Sequence, residues 1–133
     1  MQTLRVKTVR RTQLLDVNRQ IETAVDQSGV TTGVCYVFVP HTTAGVMINE
    51  HADPDVACDL EGIFDRLVPH HGPYRHAEGN TDSHAKAVMV GASQVIFVEK
   101  GKLALGTWQG VFLCEFDGPR ERKFWIRVVG EKT

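Results

Sequence analysis

The sequence predicts a single α+β domain, residues 1–133, built from one substantial mixed or antiparallel sheet and about three short helices. Strand-like and helix-like segments alternate over the first two thirds of the chain, and no internal repeat divides it. Strand-like segments then follow one another from residue 94 onward, which is typical of an antiparallel meander rather than a doubly wound sheet. A length of 133 residues with 42% apolar side chains fits one globular domain.

The first predicted elements are an edge strand, a helix and a central strand. Residues 4–10 alternate between apolar and polar side chains, as a half-exposed strand does. Asp16 can cap a helix that carries apolar side chains on one face and ends at Gly29. The run GVCYVFVP, residues 33–40, places apolar side chains on both faces, which predicts a central strand covered on two sides.

A second strand and a second helix follow almost at once. AGVMIN, residues 44–49, is strand-like, and a hairpin with the preceding strand would return its end to the neighbourhood of Pro40. Asp53 is a helix cap followed by Pro54 at the first helical position. An apolar stripe with helical spacing then continues to residue 67, so we expect a helix there.

The last third of the chain begins with a polar loop and ends in strands. Residues 70–81 lack periodicity and contain two glycines, which predicts a long loop of the kind that often carries function. A short helix is expected from Asp82 or Ser83 to Val90. Three strand-like runs follow, QVIFVEK, KLALGTWQGVFLCEF and KFWIRVVG, and glycine-containing turns join them.

The composition argues against several kinds of partner and compartment. Fifteen basic residues nearly balance sixteen acidic ones, so the net charge indicates neither a nucleic acid nor a polybasic membrane contact. Cys35, Cys58 and Cys114 lack C-x-x-C spacing and lie among apolar neighbours, which predicts buried free thiols. No signal-peptide pattern or bilayer-length apolar run is present, so we expect a cytoplasmic protein.

Chemically active side chains collect where the predicted strands end. His41 follows Pro40 at the end of the first central strand, and Asn49 and Glu50 end the next one. If the two strands form a hairpin, these side chains meet at one end of the sheet, with Glu50 available for proton transfer. The alternative is that His41 and Thr42 only cap a turn.

A second group of candidates lies in HAEGNTDSHAK, residues 76–86. A glycine-containing segment joins His76 to His84 and can bring both imidazoles to one ion, and the first turn of a helix favours the neutral imidazole that binds metals. Asp82 can hydrogen-bond a ligand histidine or join the ligands, and Lys86 adds a cation for an anionic substrate. The H-x₇-H spacing is no established zinc signature.

Two further motifs are open to a structural or a functional interpretation. The glycines of GTWQG, residues 106–110, predict a bulge or a close backbone approach that would aim Thr107 or Gln109 at a ligand. Trp108 is interpreted as a core aromatic. Arg120 follows the turn in DGPR and can bind a phosphate through two guanidinium nitrogens, although arginines beside turns are usually solvated.

These blocks together resemble the YjbQ-like family of small uncharacterised proteins, to which a secondary thiamine-phosphate synthase activity is assigned. The resemblance rests on PHTTAGVMINE, DPDV, H-x₇-H, RKFWIRVVG and above all GKLALGTWQG, and it covers nearly the whole chain. It implies a sandwich-like α+β fold, a homotrimer and a polar site with a divalent metal, zinc or magnesium. The motif residues fall on His41, Thr42, Asn49, Glu50, Asp53, His76, Asn80, Asp82, His84, Gly106, Thr107, Gln109 and Arg120.

The resemblance leads us to expect a metal-assisted enzyme that joins a pyrimidine pyrophosphate to a thiazole phosphate. The expected metal ligands are His76, His84 and His41, and the expected catalytic groups are Glu50, Asp82 and His41. The expected substrate contacts are Thr42, Asn49, Asn80, Lys86, Thr107, Gln109 and Arg120. The alternative is a nonenzymatic trimer that binds a metal or a small anion. A purely structural domain would instead leave its histidines apart and exposed.

Overall fold

The computed structural model describes residues 1–132, which form eight strands and three helices. The elements are β1 (Gln2–Lys7), β2 (Gln13–Asp16), α1 (Asn18–Ser28), β3 (Gly33–Phe38), β4 (Ala44–Glu50), α2 (Pro54–Leu67), α3 (Thr81–Val90), β5 (Ser93–Glu99), β6 (Lys102–Leu103), β7 (Gln109–Glu115) and β8 (Glu121–Gly130). The α+β class is confirmed. No helix within the described residues is long and apolar enough to cross a membrane.

The strands form two sheets instead of the one predicted. Sheet A has the order β1-β8-β3-β5-β6, and sheet B has the order β2-β7-β4. Every pairing described is antiparallel, so of the two arrangements expected, mixed or antiparallel, the structure has the antiparallel one, in the sandwich-like form that the family resemblance implies. The predicted hairpin of β3 with β4 is wrong, because β3 belongs to sheet A and β4 to sheet B. The C-terminal meander is wrong for the same reason, since β7 and β8 lie in different sheets.

The two sheets and α1 enclose the main core. Side chains from one face of each sheet pack against the apolar stripe of α1. The buried residues of this core, from α1 and its cap and from the sheets, are Val17, Ile21, Ala24, Val25, Cys35, Val37, Val39, Ala44, Val46, Ile96, Val98, Val111, Leu113, Phe124 and Ile126. A second cluster, which includes Leu14, Phe112 and Phe116, contacts α2 through Phe64 and α3 through Ala87. Helices α2 and α3 therefore cover sheet B, and no helix of the described residues 1–132 lies on the outer side of sheet A.

Local signals account for the helix ends. Gly29 ends α1 in the left-handed conformation, with φ of 70°, which glycine adopts without strain. The Asp53 carboxylate accepts a hydrogen bond from the N–H of Asp55, and Pro54 opens α2, as the sequence predicts. The N-cap of α1 is Val17 rather than Asp16, but the Asp16 carboxylate still accepts from the first helical N–H.

The outer face of sheet A is apolar and open. Its exposed side chains lie on neighbouring strands: Tyr36, Phe38, Val95, Phe97 and Val129. Phe38 stacks on Trp125 with ring centroids 5.8 Å apart. The prediction that β3 is covered on both faces is therefore wrong within one chain, because the apolar pattern of a strand does not say what covers it.

Two of the three thiols are buried as predicted. Cys35 and Cys114 are buried, whereas Cys58 is exposed on α2, so the prediction is wrong for Cys58. Burial raises the pKa of the Cys35 thiol to about 11, and it also raises the pKa of Cys114. The exposed thiol is therefore the reactive one.

Candidate functional site

The structure brings His76 and His84 together. Their ring centroids are 5.5 Å apart, with the ring planes almost perpendicular at 86°. His84 lies in the first turn of α3, where its N–H is hydrogen-bonded to the carbonyl of Asn80. His76 belongs to the polar loop before α3, and its Nε2 is 3.8 Å from a carboxylate oxygen of Glu78. The loop therefore places two imidazoles at the start of one helix.

His84, one member of this pair, lies in the helical turn that starts at Asn80, and Asn80 holds a buried polar atom without a partner. The Oδ1 atom of Asn80 is buried without a hydrogen-bond partner, whereas its Nδ2 donates to Asp117 at 2.8 Å. Asp117 also accepts from Arg120. Within residues 1–132 there is no group of three or more His, Cys, Asp or Glu side chains arranged to hold a metal ion. The pair thus supplies two ligand groups, and an ion there would need others.

His41 does not join the histidine pair within one chain. The Lys123 backbone N–H donates to its Nε2 at 3.1 Å, which holds the ring against β8. Burial lowers the pKa of His41, and the nearby Arg122 cation adds to the effect, so the neutral ring is favoured. Thr42 beside it is exposed, and it is Thr43 that is buried and contacts Arg122.

The other strand-end candidates gather at the opposite end of sheet B. Glu50 pairs with Gln109 at one end of the β4–β7 ladder, and Ala44 pairs with Glu115 at the other. Six residue steps of a strand separate these ends by about 20 Å. The predicted cluster of His41 with Asn49 and Glu50 is therefore not formed within the chain, because it depended on the β3–β4 hairpin.

The GTWQG segment forms a turn instead of the predicted bulge. The Gln109 side chain accepts a hydrogen bond from the N–H of Gly106 at 2.8 Å, so its amide oxygen closes the turn. Thr107 is exposed at the turn. Trp108 is 62% exposed, so its interpretation as a core aromatic is wrong. The predicted close approach occurs at Gly110, where an added Cβ would lie 2.3 Å from Cγ of His51.

Asp82 is fully buried and its carboxylate is occupied by cations. Arg11 donates to it at 2.9 and 3.0 Å, and Nζ of Lys86 donates at 3.0 Å. Burial acts to raise the pKa of Asp82, but these hydrogen bonds outweigh it and lower the pKa to about 2. The expected bond to a ligand histidine is not made within the described residues. These surroundings favour a role for Asp82 in positioning Lys86 and disfavour proton transfer.

A large cavity lies between α2, the start of β2 and the buried side of α3. Its volume is about 920 Å³, which is the size of cavities that hold small metabolites. Among the motif residues and predicted contacts, Asp53 and Lys86 line it. His51, Asp16 and Arg11 also line it. None of the three is among the predicted site residues, and Asp16 is predicted only as a helix cap. His51 directly follows Glu50, so its place at a strand end was visible in the sequence, but its contact with Asp16 was not.

Arg120 binds the loop that carries it. Its Nε donates to the carbonyl of Asp117 at 2.9 Å, and a terminal nitrogen donates to the Asp117 carboxylate at 3.1 Å. The side chain remains about half exposed. Its phosphate-binding role therefore stays a prediction, and a ligand would have to compete with Asp117 for the guanidinium.

Similar proteins carry the UPF0047 name and match nearly the whole chain. The family profile described as UPF0047 protein YjbQ-like matches residues 2–131. The UPF0047 protein YugU of Bacillus subtilis (strain 168) is 48% identical over 131 residues, which cover 98% of this chain and 99% of that protein. The UPF0047 protein MJ1081 of Methanocaldococcus jannaschii is 46% identical over 127 residues, covering 96% and 92%.

Solved structures share the fold over its full extent. An uncharacterised conserved protein of the YjbQ/UPF0047 family from Clostridium acetobutylicum has a TM-score of 0.95 and 47% identity, covering 97% of this chain and 100% of that one. A hypothetical protein from Aeropyrum pernix K1 has a TM-score of 0.93 and 39% identity, covering 98% of both chains.

Proposed function

The chain belongs to the YjbQ-like UPF0047 family, and on that premise we propose that it is a transferase similar to secondary thiamine-phosphate synthase. It would join a pyrimidine that carries a pyrophosphate to the ring nitrogen of a thiazole phosphate. We place this activity in the cytoplasm and assign it low turnover, as expected of a side activity on small phosphorylated metabolites. A divalent metal, zinc or magnesium, is proposed as the cofactor.

The observation that carries this proposal is the cavity with a buried lysine in its wall. Lys86 is 1% exposed, and its ammonium contacts the buried Asp82 and the half-exposed Asp65. A cation held in place beforehand stabilises negative charge that develops on a leaving group, because it need not reorient during the reaction. Pyrophosphate released from the pyrimidine would carry such charge. Arg11 lies next to Lys86 on the same carboxylate and adds a second cation.

The chemistry of the histidine pair fits a divalent ion in part. Two imidazoles with ring centroids 5.5 Å apart supply nitrogen donors of the kind zinc accepts, and Asn80, at the start of the helix that carries His84, has a buried carboxamide oxygen without a partner. Catalytic zinc sites use three protein ligands. When bound, the ion would supply Lewis acidity toward phosphate oxygens. Because His41 lies elsewhere in the chain, we propose that a neighbouring subunit or the substrate provides the missing ligands.

Zinc titration tests the histidine pair directly. Isothermal titration of His84→Ala should show zinc affinity reduced by about tenfold or more, because one of two imidazole donors is lost. His71→Ala is the matched control, since His71 is an exposed loop histidine that stacks on His70. Unchanged zinc affinity in His84→Ala would remove this residue from the site.

We propose a homotrimer that buries the outer face of sheet A. The exposed aromatic and aliphatic side chains on β3, β5 and β8 form a continuous patch, and such patches mark protein interaction sites. Phe97 is 66% exposed in this patch. Light scattering should give a trimer for the parent and a smaller species for Phe97→Glu. Val9→Glu, at an exposed apolar residue outside the patch, is the control. A parent monomer at micromolar concentration would contradict the trimer.

We propose that Glu50, presented by a neighbouring subunit, is the proton-transfer group beside the ion. Glu50→Gln keeps the size and hydrogen-bonding capacity of the side chain but removes the base, so turnover should fall about 10²-fold with metal content unchanged. Loss of metal together with activity would make Glu50 a ligand. If Glu50→Gln turns over substrate at the parent rate, Glu50 is not the proton-transfer group and Asp82 becomes the candidate, although its ion pairs disfavour that role. Glu99→Gln, on the exposed side of β5, is the matched control.

The alternative is a nonenzymatic trimer that binds a metal or a small anion. One observation favours it: the cations near the cavity and the histidine pair are already paired with carboxylates. Arg10 contacts Glu61, Arg120 contacts Asp117, and Arg11 shares Asp82 with Lys86. Paired cations stabilise a leaving group less than free ones do.

One experiment separates the enzyme from the binder. Purified protein would be assayed for thiamine phosphate from the two precursors, and its metal content would be measured by elemental analysis. Product formation that depends on the protein and its bound metal supports the transferase. Bound metal without any product supports the binding protein.

A further inference from the structure

The cavity contains an aspartate–histidine pair that the proposed roles above do not use. His51 and Asp16 both line it. Nδ1 of His51 is 3.0 Å from Oδ2 of Asp16, and the two residues are 35 positions apart in the chain. The second carboxylate oxygen, Oδ1, accepts from the N–H of Asn18 at 2.9 Å, which fixes the carboxylate at the start of α1. The pair is therefore anchored at its carboxylate end.

The imidazole is held in place from its backbone as well. The N–H of His51 donates to the carbonyl of Trp108 at 3.0 Å. The ring packs over the backbone of Gly110, where an added Cβ would come within 2.4 Å of Nδ1. Only glycine leaves this space, so the GTWQG motif has a structural reason for its second glycine. The backbone of His51 is hydrogen-bonded, one face of its ring packs on Gly110, and its Nδ1 contacts Asp16, so the imidazole is held in one orientation before any ligand binds.

The second ring nitrogen of His51 is available to a ligand. No hydrogen bond from residues 1–132 reaches Nε2, and the side chain is 30% exposed. A carboxylate that accepts from Nδ1–H selects the tautomer in which Nε2 carries the lone pair. Nε2 can then exchange a proton with a bound molecule. The ionisable groups that share the cavity with this pair are Arg10, Arg11, Asp53, Cys58, Glu61, Asp65, His70 and Lys86.

We propose that His51, positioned by Asp16, is the proton-transfer group of this cavity, and that its ligand is a small molecule with a phosphate or pyrophosphate group held by Lys86 and Arg11. The phosphate end is assigned to the cations of the lining, of which Arg11 is 29% exposed and so can reach a ligand while it shares Asp82 with the buried Lys86. The remainder of the ligand would contact the apolar part of the wall, Leu14, Ala57 and Phe112. The site thus combines an anion anchor, an apolar wall and a fixed imidazole.

The reaction step rests on the proposed function, whereas the ligand site and the pair do not. In the condensation, the thiazole nitrogen forms a bond to the pyrimidine methylene as the carbon–oxygen bond to pyrophosphate breaks. Both electrons of the broken bond leave with the pyrophosphate. Protonated His51 donates its Nε2 proton to that oxygen and regains a proton from water after product release. Asp16 stabilises the imidazolium and is a positioning residue.

Nitrogen NMR tests the pair without requiring turnover. The chain has six histidines, and the His51→Gln spectrum identifies the His51 signals in the ¹⁵N-labelled parent. We expect neutral His51 to be protonated at Nδ1, and we expect Asp16→Asn to shift the tautomer population toward Nε2–H. Inorganic pyrophosphate should shift the His51 Nε2 signal several-fold more than the signals of the exposed His71. If Asp16→Asn does not fold, the proposal is tested by two measurements on the parent: the tautomer of neutral His51 and the shift of its Nε2 signal on addition of pyrophosphate.

Two results would overturn the proposal. One is an Nε2-protonated His51 in the parent, and the other is a pyrophosphate response no larger at His51 than at His71. Turnover separates this inference from the proposed function. If the parent forms thiamine phosphate, His51→Gln should lose about 10²-fold in turnover and keep its metal, and unchanged turnover would refute the catalytic role alone. If the parent forms none while the NMR results hold, the proposed function fails and the ligand site stands.

Discussion

Substituting Asp82 by asparagine should destabilise the fold strongly at neutral pH. The carboxylate is fully buried and holds two cations, Arg11 and Lys86. Asparagine keeps the shape but removes the charge, so Lys86 retains only Asp65 and Arg11 loses its carboxylate. Breaking a buried pair on one side costs about 3–5 kcal/mol. Because Asp65 remains and Arg11 is 29% exposed, we expect a loss near the lower limit, about 3 kcal/mol.

The pH dependence of that loss identifies its cause. The hydrogen bonds of Asp82 outweigh burial and lower its pKa from 3.8 to about 2. A carboxyl whose pKa is lower in the folded state stabilises the fold above the unfolded pKa and loses this effect as the pH falls to the folded pKa. The difference corresponds to about 2–3 kcal/mol. The stability gap between the parent and Asp82→Asn should therefore be full above about pH 5 and should shrink between about pH 4 and pH 2.

Urea unfolding followed by circular dichroism measures this gap. The parent, Asp82→Asn and Asp59→Asn would be compared at pH 7, 5 and 3 at one protein concentration, which keeps any effect of assembly constant. Asp59→Asn makes the same change at an exposed carboxylate on α2 and should alter stability by less than about 0.5 kcal/mol. An Asp82→Asn variant as stable as the parent at pH 7, or a gap at pH 3 as large as at pH 7, would refute the reasoning.

Two further predictions concern a thiol and a histidine. A thiol-specific colorimetric reagent should modify one thiol per native chain, at Cys58, because Cys35 and Cys114 are buried; modification of all three before unfolding would contradict the packing. Burial and Arg122 lower the pKa of His41, so its neutral form stabilises the fold at high pH, and this effect is lost as the pH falls below the unfolded value of about 6.5. Thermal unfolding between pH 8 and pH 5 should show a smaller decrease for His41→Gln than for the parent, and equal decreases would exclude His41 as the cause.

Local signals in the sequence predict the helices well. Gly29 and the Asp53–Pro54 pair each act within one turn of chain, so the ends they predict agree with the structure. Strand pairing is different, because it depends on residues far apart in the sequence. AGVMIN fits a hairpin with the preceding strand as well as it fits the edge of sheet B, and only the ladder of Ala44 with Glu115 decides between the two pairings.

In the candidate site, too, contacts between residues close in sequence could be predicted, whereas contacts between distant residues could not. His76 and His84 are eight positions apart, and a loop that leads into a helix brings them together. The contact of Asp16 with His51 spans 35 positions and crosses from β2 to the segment after β4. No spacing in the sequence identifies such a pair. The prediction of a buried Trp108 is wrong for another reason. An apolar side chain in a strand-like run is usually buried, but the run does not show that residues 107 and 108 form an exposed turn.

Two features of the single chain have one physical explanation in the trimer that we propose. The motif residues lie at two ends of sheet B, about 20 Å apart, so a rigid sandwich cannot bring Glu50 to the histidine pair. The outer face of sheet A exposes aromatic side chains that cost free energy in water. Association of copies would bury that face, and it would also let one copy present Glu50 or His41 to the histidine pair of the next. The Asp16–His51 pair requires no partner, because both residues and the cavity belong to one chain.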